Sequence, residues 1–181
     1  MSAPIDFKAV VQFWMAAGPA RWFKKDAQFD AEFGARFHEA HFQAARGELE
    51  HWVNEPEGAL ALLILLDQYP RNTFRGTAHM FATDPLARVY AARMIDAGMD
   101  RLIDPALRAF CYLPFEHSEQ PDDQQRSLAL NKQLDAYTYH WAKEHADIIE
   151  RFGRFPHRNA ALGRVTTEEE EAFLQGGGFS G

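Results

Sequence analysis

Apolar positions recur at three- and four-residue spacing along nearly the whole chain, which is the period of an α-helix. Ile5, Val10, Val11 and Trp14 form a first stripe, and Gly18-Pro19 closes it. Trp22 and Phe23 fall in a short link. Asp26 is placed to cap a second helix, whose stripe is Phe29, Phe33, Phe37, His41 and Ala44, with Gly47 as its stop. Pro56 starts a third helix through the run Leu60 to Leu66, apolar nearly all round and so expected at the centre of the core. Pro70 is expected to end it, because proline offers no N–H and restricts the residue before it.

The second half repeats these signals. Asp84-Pro85 reads as an N-cap followed by a proline in the first turn, with Gly98 as the stop. Asp104-Pro105 repeats the device, and Pro114 closes that segment. The longest pattern runs from Pro121 to about Phe152 through Leu128, Leu134, Tyr137, Trp141, His145, Ile148 and Ile149, and Gly153 and Pro156 break it. Thr166 or Thr167, followed three residues later by Glu, reads as a capping box for a last short helix through Leu174. No run of alternating β-branched residues is long enough for a strand. The expected fold is therefore all-α, an αα-hairpin array of about seven or eight helices. It forms a single domain over residues 1–175, and the glycine-rich tail 176–181 is flexible unless Phe179 docks.

Composition narrows the class. With 181 residues and 46% hydrophobic types the chain can bury a core, which excludes wholesale disorder. No apolar run reaches the roughly 18 residues of a membrane span, and no basic-then-apolar leader follows Met1. The lone cysteine, Cys111, excludes an intrachain disulfide framework and a Cys-based zinc cluster. The expected location is the cytoplasm, with no membrane partner. A net charge of −7 argues against nucleic acid. The cations are lopsided, however: 14 Arg against 5 Lys. Arg151, Arg154, Arg158 and Arg164 span a stretch with no acidic residue, and Glu168-Glu169-Glu170-Glu171 follows directly. Arg presents a planar fork of donors suited to carboxylate or phosphate.

Three stretches carry polar chemistry. Asp67-Gln68-Tyr69-Pro70-Arg71-Asn72-Thr73-Phe74-Arg75-Gly76 follows an apolar helix directly, so its polar groups need partners at the core edge. In Leu113-Pro114-Phe115-Glu116-His117-Ser118-Glu119 two carboxylates flank an imidazole, a set suited to general acid–base work. The plainer reading there is capping, with Ser118 as N-cap of the helix beginning at Pro121. Ser118 lacks the elbow of a nucleophilic serine. Arg151-Phe152-Gly153-Arg154-Phe155-Pro156-His157-Arg158-Asn159 could clamp an anion, or could tie the long helix to the acidic segments 116–119 and 168–171. His140 and Glu144 share the spacing of a metal pair, with His117 as a third ligand, but the surrounding Arg residues repel a cation. No metal and no cofactor are expected.

Taken together, the strings Phe13-Trp14, Trp22-Phe23, Gly47-Glu48-Leu49, Asp67-Gln68-Tyr69-Pro70-Arg71-Asn72, Leu113-Pro114-Phe115-Glu116-His117-Ser118-Glu119 and the block Arg151 to Arg164 resemble the bacterial family known as domain of unknown function 924. The resemblance runs from Phe13-Trp14 to Phe173-Leu174. It departs at Met15-Ala16-Ala17, where Phe-Gly or similar is expected, away from the polar stretches. It implies a tetratricopeptide-like helical arrangement and no assigned activity.

Three functional readings follow. In the first, a small phosphate- or carboxylate-bearing molecule is bound by Asp67, Arg71, Asn72, Arg75, Glu119, Arg154, Arg158 and Asn159, with Glu116, His117 and His157 as proton carriers. Turnover is left open. In the second, a tetratricopeptide-like module binds a peptide or partner helix along a groove lined by some of Trp22, Phe29, Phe33 and Trp52. In the third, the polar stretches are an internal network that fixes the fold.

Overall fold

The structure is a computed structural model, and it describes residues 5–179. Among them every regular element is helical. The described residues divide into two compact units: 5–75 with His79–Pro114, and Gly76–Ala78 with 115–179.

In the first unit α1 (Phe7–Ala17) is capped by Asp6, whose carboxylate accepts from the Lys8 N–H. The short α2 (Pro19–Trp22) ends in Trp22, whose indole N–H donates to the Trp14 carbonyl at 2.7 Å. Asp26 caps α3 (Ala27–Ala45), and Phe29, Phe33, Phe37, His41 and Ala44 are all buried as their stripe requires. Phe13 of α1 stacks on Phe29 and Phe33. A 3-10 turn, Glu50–Asn54, delivers Trp52 to the start of α4 (Pro56–Leu63), every residue of which from Gly58 on is buried. Gly58 has no alternative: a Cβ there would lie 2.3 Å from the Trp52 carbonyl oxygen.

Pro70 does not end this helix. α4 runs into a π-helical segment, Ile64–Gln68, and on into α5 (Tyr69–Thr73). The Tyr69 N–H reaches back five residues to the Ile64 carbonyl. That widening removes the clash that the Pro70 ring would make with the Leu66 carbonyl in an α-turn. Two buried carbonyls lack their usual fourth-residue donor here, Leu65 because the Tyr69 N–H goes to Ile64 and Leu66 because Pro70 has no N–H, and side chains serve both. His41 Nδ1 donates to the Leu65 carbonyl at 2.8 Å, and Thr83 Oγ1 donates to the Leu66 carbonyl at 2.5 Å.

The short α6 (His79–Ala82) leads to α7 (Asp84–Asp96). Asp84 is the first residue of α7 rather than its cap: Thr83 holds the cap position, and the Asp84 carboxylate turns to Arg71. Asp104 accepts from the Ala106 N–H, but only turns and a 3-10 segment, Arg108–Cys111, follow. Pro114 lies inside the one-turn α8 (Leu113–Glu116) instead of closing a segment.

In the second unit the long pattern from Pro121 divides into α9 (Pro121–Leu134) and α10 (Ala136–Phe152), which pack on each other. Asp135 breaks it by taking extended backbone and capping α10 through the Thr138 N–H. Gly153 ends α10, and a 3-10 turn, Pro156–Arg158, follows. The capping box of α11 (Glu168–Gln175) is complete between Thr167 and Glu170. Ile148, Ile149 and Phe155 form the buried centre, with Phe152, Phe173 and Phe179 against them. Phe179 is thus docked, while Ser180 and Gly181 lie outside the described residues, as do Met1 to Pro4.

Candidate functional site

The candidate residues fall in two networks, one in each unit. In the first unit Arg71 binds both oxygens of Asp84, at 2.7 and 2.9 Å, lies 3.2 Å from Asp67, and donates to the Asp67 carbonyl. Burial works against its charge, but Asp67 and Asp84 outweigh burial and hold it protonated. Gln68 donates to Asp67 at 2.7 Å. Asn72 and Arg75 both donate to Asp30, at 2.8 and 3.0 Å. Beside them is an open cleft of about 330 Å³, lined by Asp30, Gly34, His38, Tyr69, Asn72 and Phe74 among others. Behind Tyr69 lies a feature that the sequence did not announce: His41 Nε2 is 2.9 Å from His79 Nε2. Because His41 Nδ1 donates to a carbonyl, its Nε2 accepts and His79 Nε2–H is the donor. Burial, and to a lesser degree His79 and His38, push the His41 imidazole down to about 4.

In the second unit the stretches around residues 116 and 157 meet. Arg158 donates to the His117 carbonyl at 2.7 Å and lies over the Phe155 ring. The His117 ring is 6.0 Å from that of His145, and His145 Nδ1 lies 3.2 Å from Glu116 Oε1. The His157 ring packs on Phe155 at 5.6 Å and on Phe179 at 5.2 Å, while Phe179 also contacts His145 at 4.5 Å. Glu116, His145 and Arg158 are buried, the last two each only 6% exposed, while His117 and His157 are half-buried. Burial pushes His145 down to about 3, and the positive fields of His117, His157 and Arg158 act in the same direction.

A frame of ion pairs surrounds this cluster. Glu119 takes both guanidinium nitrogens of Arg164, at 2.7 and 2.8 Å, and the Phe155 N–H at 2.9 Å. Burial pulls its carboxyl up, but these donors win and hold it below the usual carboxylate range. Arg154 grips Glu170 at 2.6 and 2.8 Å and holds its carboxyl down to about 2, and Asn159 donates to the same Glu170. Arg151 pairs with Glu169. These contacts are the ladder from the Arg stretch to the acidic segments. Ser118 is not a cap: the cap position of α9 is Gln120, and the Ser118 hydroxyl accepts from the Gln120 N–H and donates to Asp123.

His140 and Glu144 lie on the exposed side of α10. No three His, Cys, Asp or Glu side chains among the described residues are grouped to hold a metal ion. Nor is any helix among them long and apolar enough to cross a membrane.

The sequence profile described as bacterial protein of unknown function (DUF924) matches residues 10–178. The chain belongs to the DUF924 family. The match spans both networks, from Asp30 to Glu170. A solved structure of the protein of unknown function ATU0120 from Agrobacterium tumefaciens is similar at 54% identity and a TM-score of 0.92, covering 94% of this chain and 97% of that one. No curated protein matches the chain. The DUF924 assignment therefore supplies the fold and leaves the chemistry to the residues.

Sequence reading missed His145, which the helical stripe explains equally well as a core position. It also missed Phe179 as a neighbour of two imidazoles. The only advance signal for His145 was a polar ring in a stripe otherwise made of Ile, Leu and aromatics.

Proposed function

We propose that the second unit holds a binding site for a small phosphate- or carboxylate-bearing molecule, built on Arg158, His117 and His157, with His145 and Glu116 behind them. The observation that carries this reading is the convergence of two imidazoles, His117 and His157, and the buried Arg158 guanidinium around His145. An anion placed there is attracted by the Arg158 charge and can accept from the imidazole N–H groups beside it. In this reading Glu116, His117 and His157 are the proton carriers. Arg154, Arg164, Glu119 and the amide N–H group of Asn159 form the rigid frame, because they serve Glu170, Thr166, the Phe155 N–H and one another. Asp67, Arg71, Asn72 and Arg75 serve the same purpose in the first unit.

A second reading, recognition of a peptide or partner helix, draws support from Tyr137 and Trp141, which pair edge to face on α10 while 66% and 38% exposed. Trp22, Phe29, Phe33 and Trp52 give it none, since all four are core residues.

The test is imidazole NMR during a titration with inorganic phosphate, then with succinate. The anion-site reading expects the His117 and His157 signals to move saturably while those of His51 and His140 stay fixed. Uniform movement of all eight histidines, or none, contradicts it.

A further inference from the structure

The segment after α11 is built to return rather than to trail away. The Gly177 N–H bonds to the Leu174 carbonyl and the Gly178 N–H to the Phe173 carbonyl, the paired contacts of a Schellman turn. Gly177 takes the left-handed backbone that such a turn needs, with φ of 83°. At Gly178 a Cβ would lie 2.6 Å from the Phe173 ring, so no side chain fits. Two glycines are thus required for different reasons, and together they aim Phe179 back at the helices. Its ring meets His145 at 4.5 Å and His157 at 5.2 Å and packs on the Ile148, Ile149 and Phe155 centre.

We propose that the segment Gly176 to Phe179 is a strap whose phenylalanine covers the imidazoles of His145 and His157, so that a solute reaches them only when the strap lifts. This deepens the anion-site reading and rests on it for its purpose, but the cover itself is a property of the ligand-free protein. The geometry fits a movable cover. Phe179 is only half-buried, and a single ring is all that the segment contributes to the apolar centre. The turn that holds it consists of glycines, which give up the most backbone freedom on ordering and regain it on release. His145 donates from Nδ1 to the Trp141 carbonyl, so Nε2 carries the lone pair of the neutral ring and is the nitrogen that a reagent or a proton would take.

The experiment uses diethyl pyrocarbonate, which acylates neutral imidazole, with peptide mass spectrometry reading each histidine separately. His140, exposed on the same helix, is the internal reference. In the wild type His145 is expected to react slowly relative to His140. In Phe179→Ala its rate is expected to rise about tenfold or more, with His140 unchanged. Gly177→Val keeps the phenylalanine but disallows the turn, and is expected to raise the His145 rate as well. Equal His145 rates in the wild type and in Phe179→Ala overturn the strap. The anion-site reading fails separately: it fails if inorganic phosphate slows neither His117 nor His157 in Phe179→Ala, where the strap cannot hinder entry.

Discussion

Glu116 Oε1 stands 3.2 Å from His145 Nδ1, the same nitrogen that lies 2.9 Å from the Trp141 carbonyl. One N–H therefore faces two acceptors, and Asn131 approaches the other carboxylate oxygen of Glu116 at 3.5 Å. The arrangement fixes the His145 tautomer and its ring orientation without charging the ring. His145 is thus held as a neutral, oriented imidazole between Glu116 and the Trp141 carbonyl, a positioning group rather than a proton carrier.

The two buried imidazoles set a pH dependence of stability. In the folded chain His145 sits at about 3 and His41 at about 4, against an ordinary value of 6.5. The unfolded chain thus binds more protons on the acid side. The stabilising contribution is complete above 6.5 and is lost as pH falls from there toward the folded values. Each ring accounts for up to about 1.4 kcal/mol per pH unit in that window. Urea unfolding at several pH values between 7.5 and 5 measures the slope. Replacing His145→Asn should remove one ring's share, and an unchanged slope in that variant contradicts the assignment.

Arg71 holds two buried carboxylates at once. Arg71→Ala takes the cation away from the buried Asp67 and Asp84 carboxylates and should cost about 3–5 kcal/mol in urea unfolding. Arg71→Lys keeps the charge but loses the two-pronged contact with Asp84, and should fall between wild type and alanine.

Thr83 donates to the Leu66 carbonyl, whose usual fourth-residue donor would be Pro70, which has no N–H. Thr83→Val preserves shape and removes the hydroxyl, so the buried Leu66 carbonyl loses its side-chain donor, at a loss of about 1–3 kcal/mol. Thr83→Ser should retain most of that contribution. Equal stabilities for the valine and serine variants would remove the hydroxyl from the explanation of the π segment.

At Gly58 the contact is backbone against backbone, so nothing flexible can give way. Gly58→Ala should lose about 1–3 kcal/mol even though alanine is the better helix former. Thermal unfolding of the single variant is sufficient to check it.

Much of the helical pattern was legible because it depends on local rules. The stripe Phe29, Phe33, Phe37, His41 and Ala44 is buried throughout, Asp26 caps its helix, and the Thr167–Glu170 box is complete. What escaped depends on partners distant in sequence. Pro70 looks like a helix stop until His41 and Thr83 are seen to take the carbonyls that the π-turn and the proline leave without a donor. Asp84 looks like a cap until Arg71 claims both its oxygens. Asp135 interrupts a stripe whose spacing continues unchanged on either side, so the periodicity conceals the break. At the candidate site the residue types around 116 and 157 were legible, but their meeting with His145 and Phe179 is a tertiary fact. No local pattern encodes it.

Thermal unfolding against rising inorganic phosphate, and separately succinate, tests the anion site most directly. A ligand at a hundred times its dissociation constant adds about 2.7 kcal/mol, which in a chain of this size raises Tm by roughly 5–10 °C. The expected result is a saturable rise with one of the two anions in the wild type, abolished in Arg158→Ala and weakened in His157→Ala. No rise with either anion, or the same rise in Arg158→Ala, would contradict the site and leave the Arg, His and Glu side chains as scaffolding of the second unit.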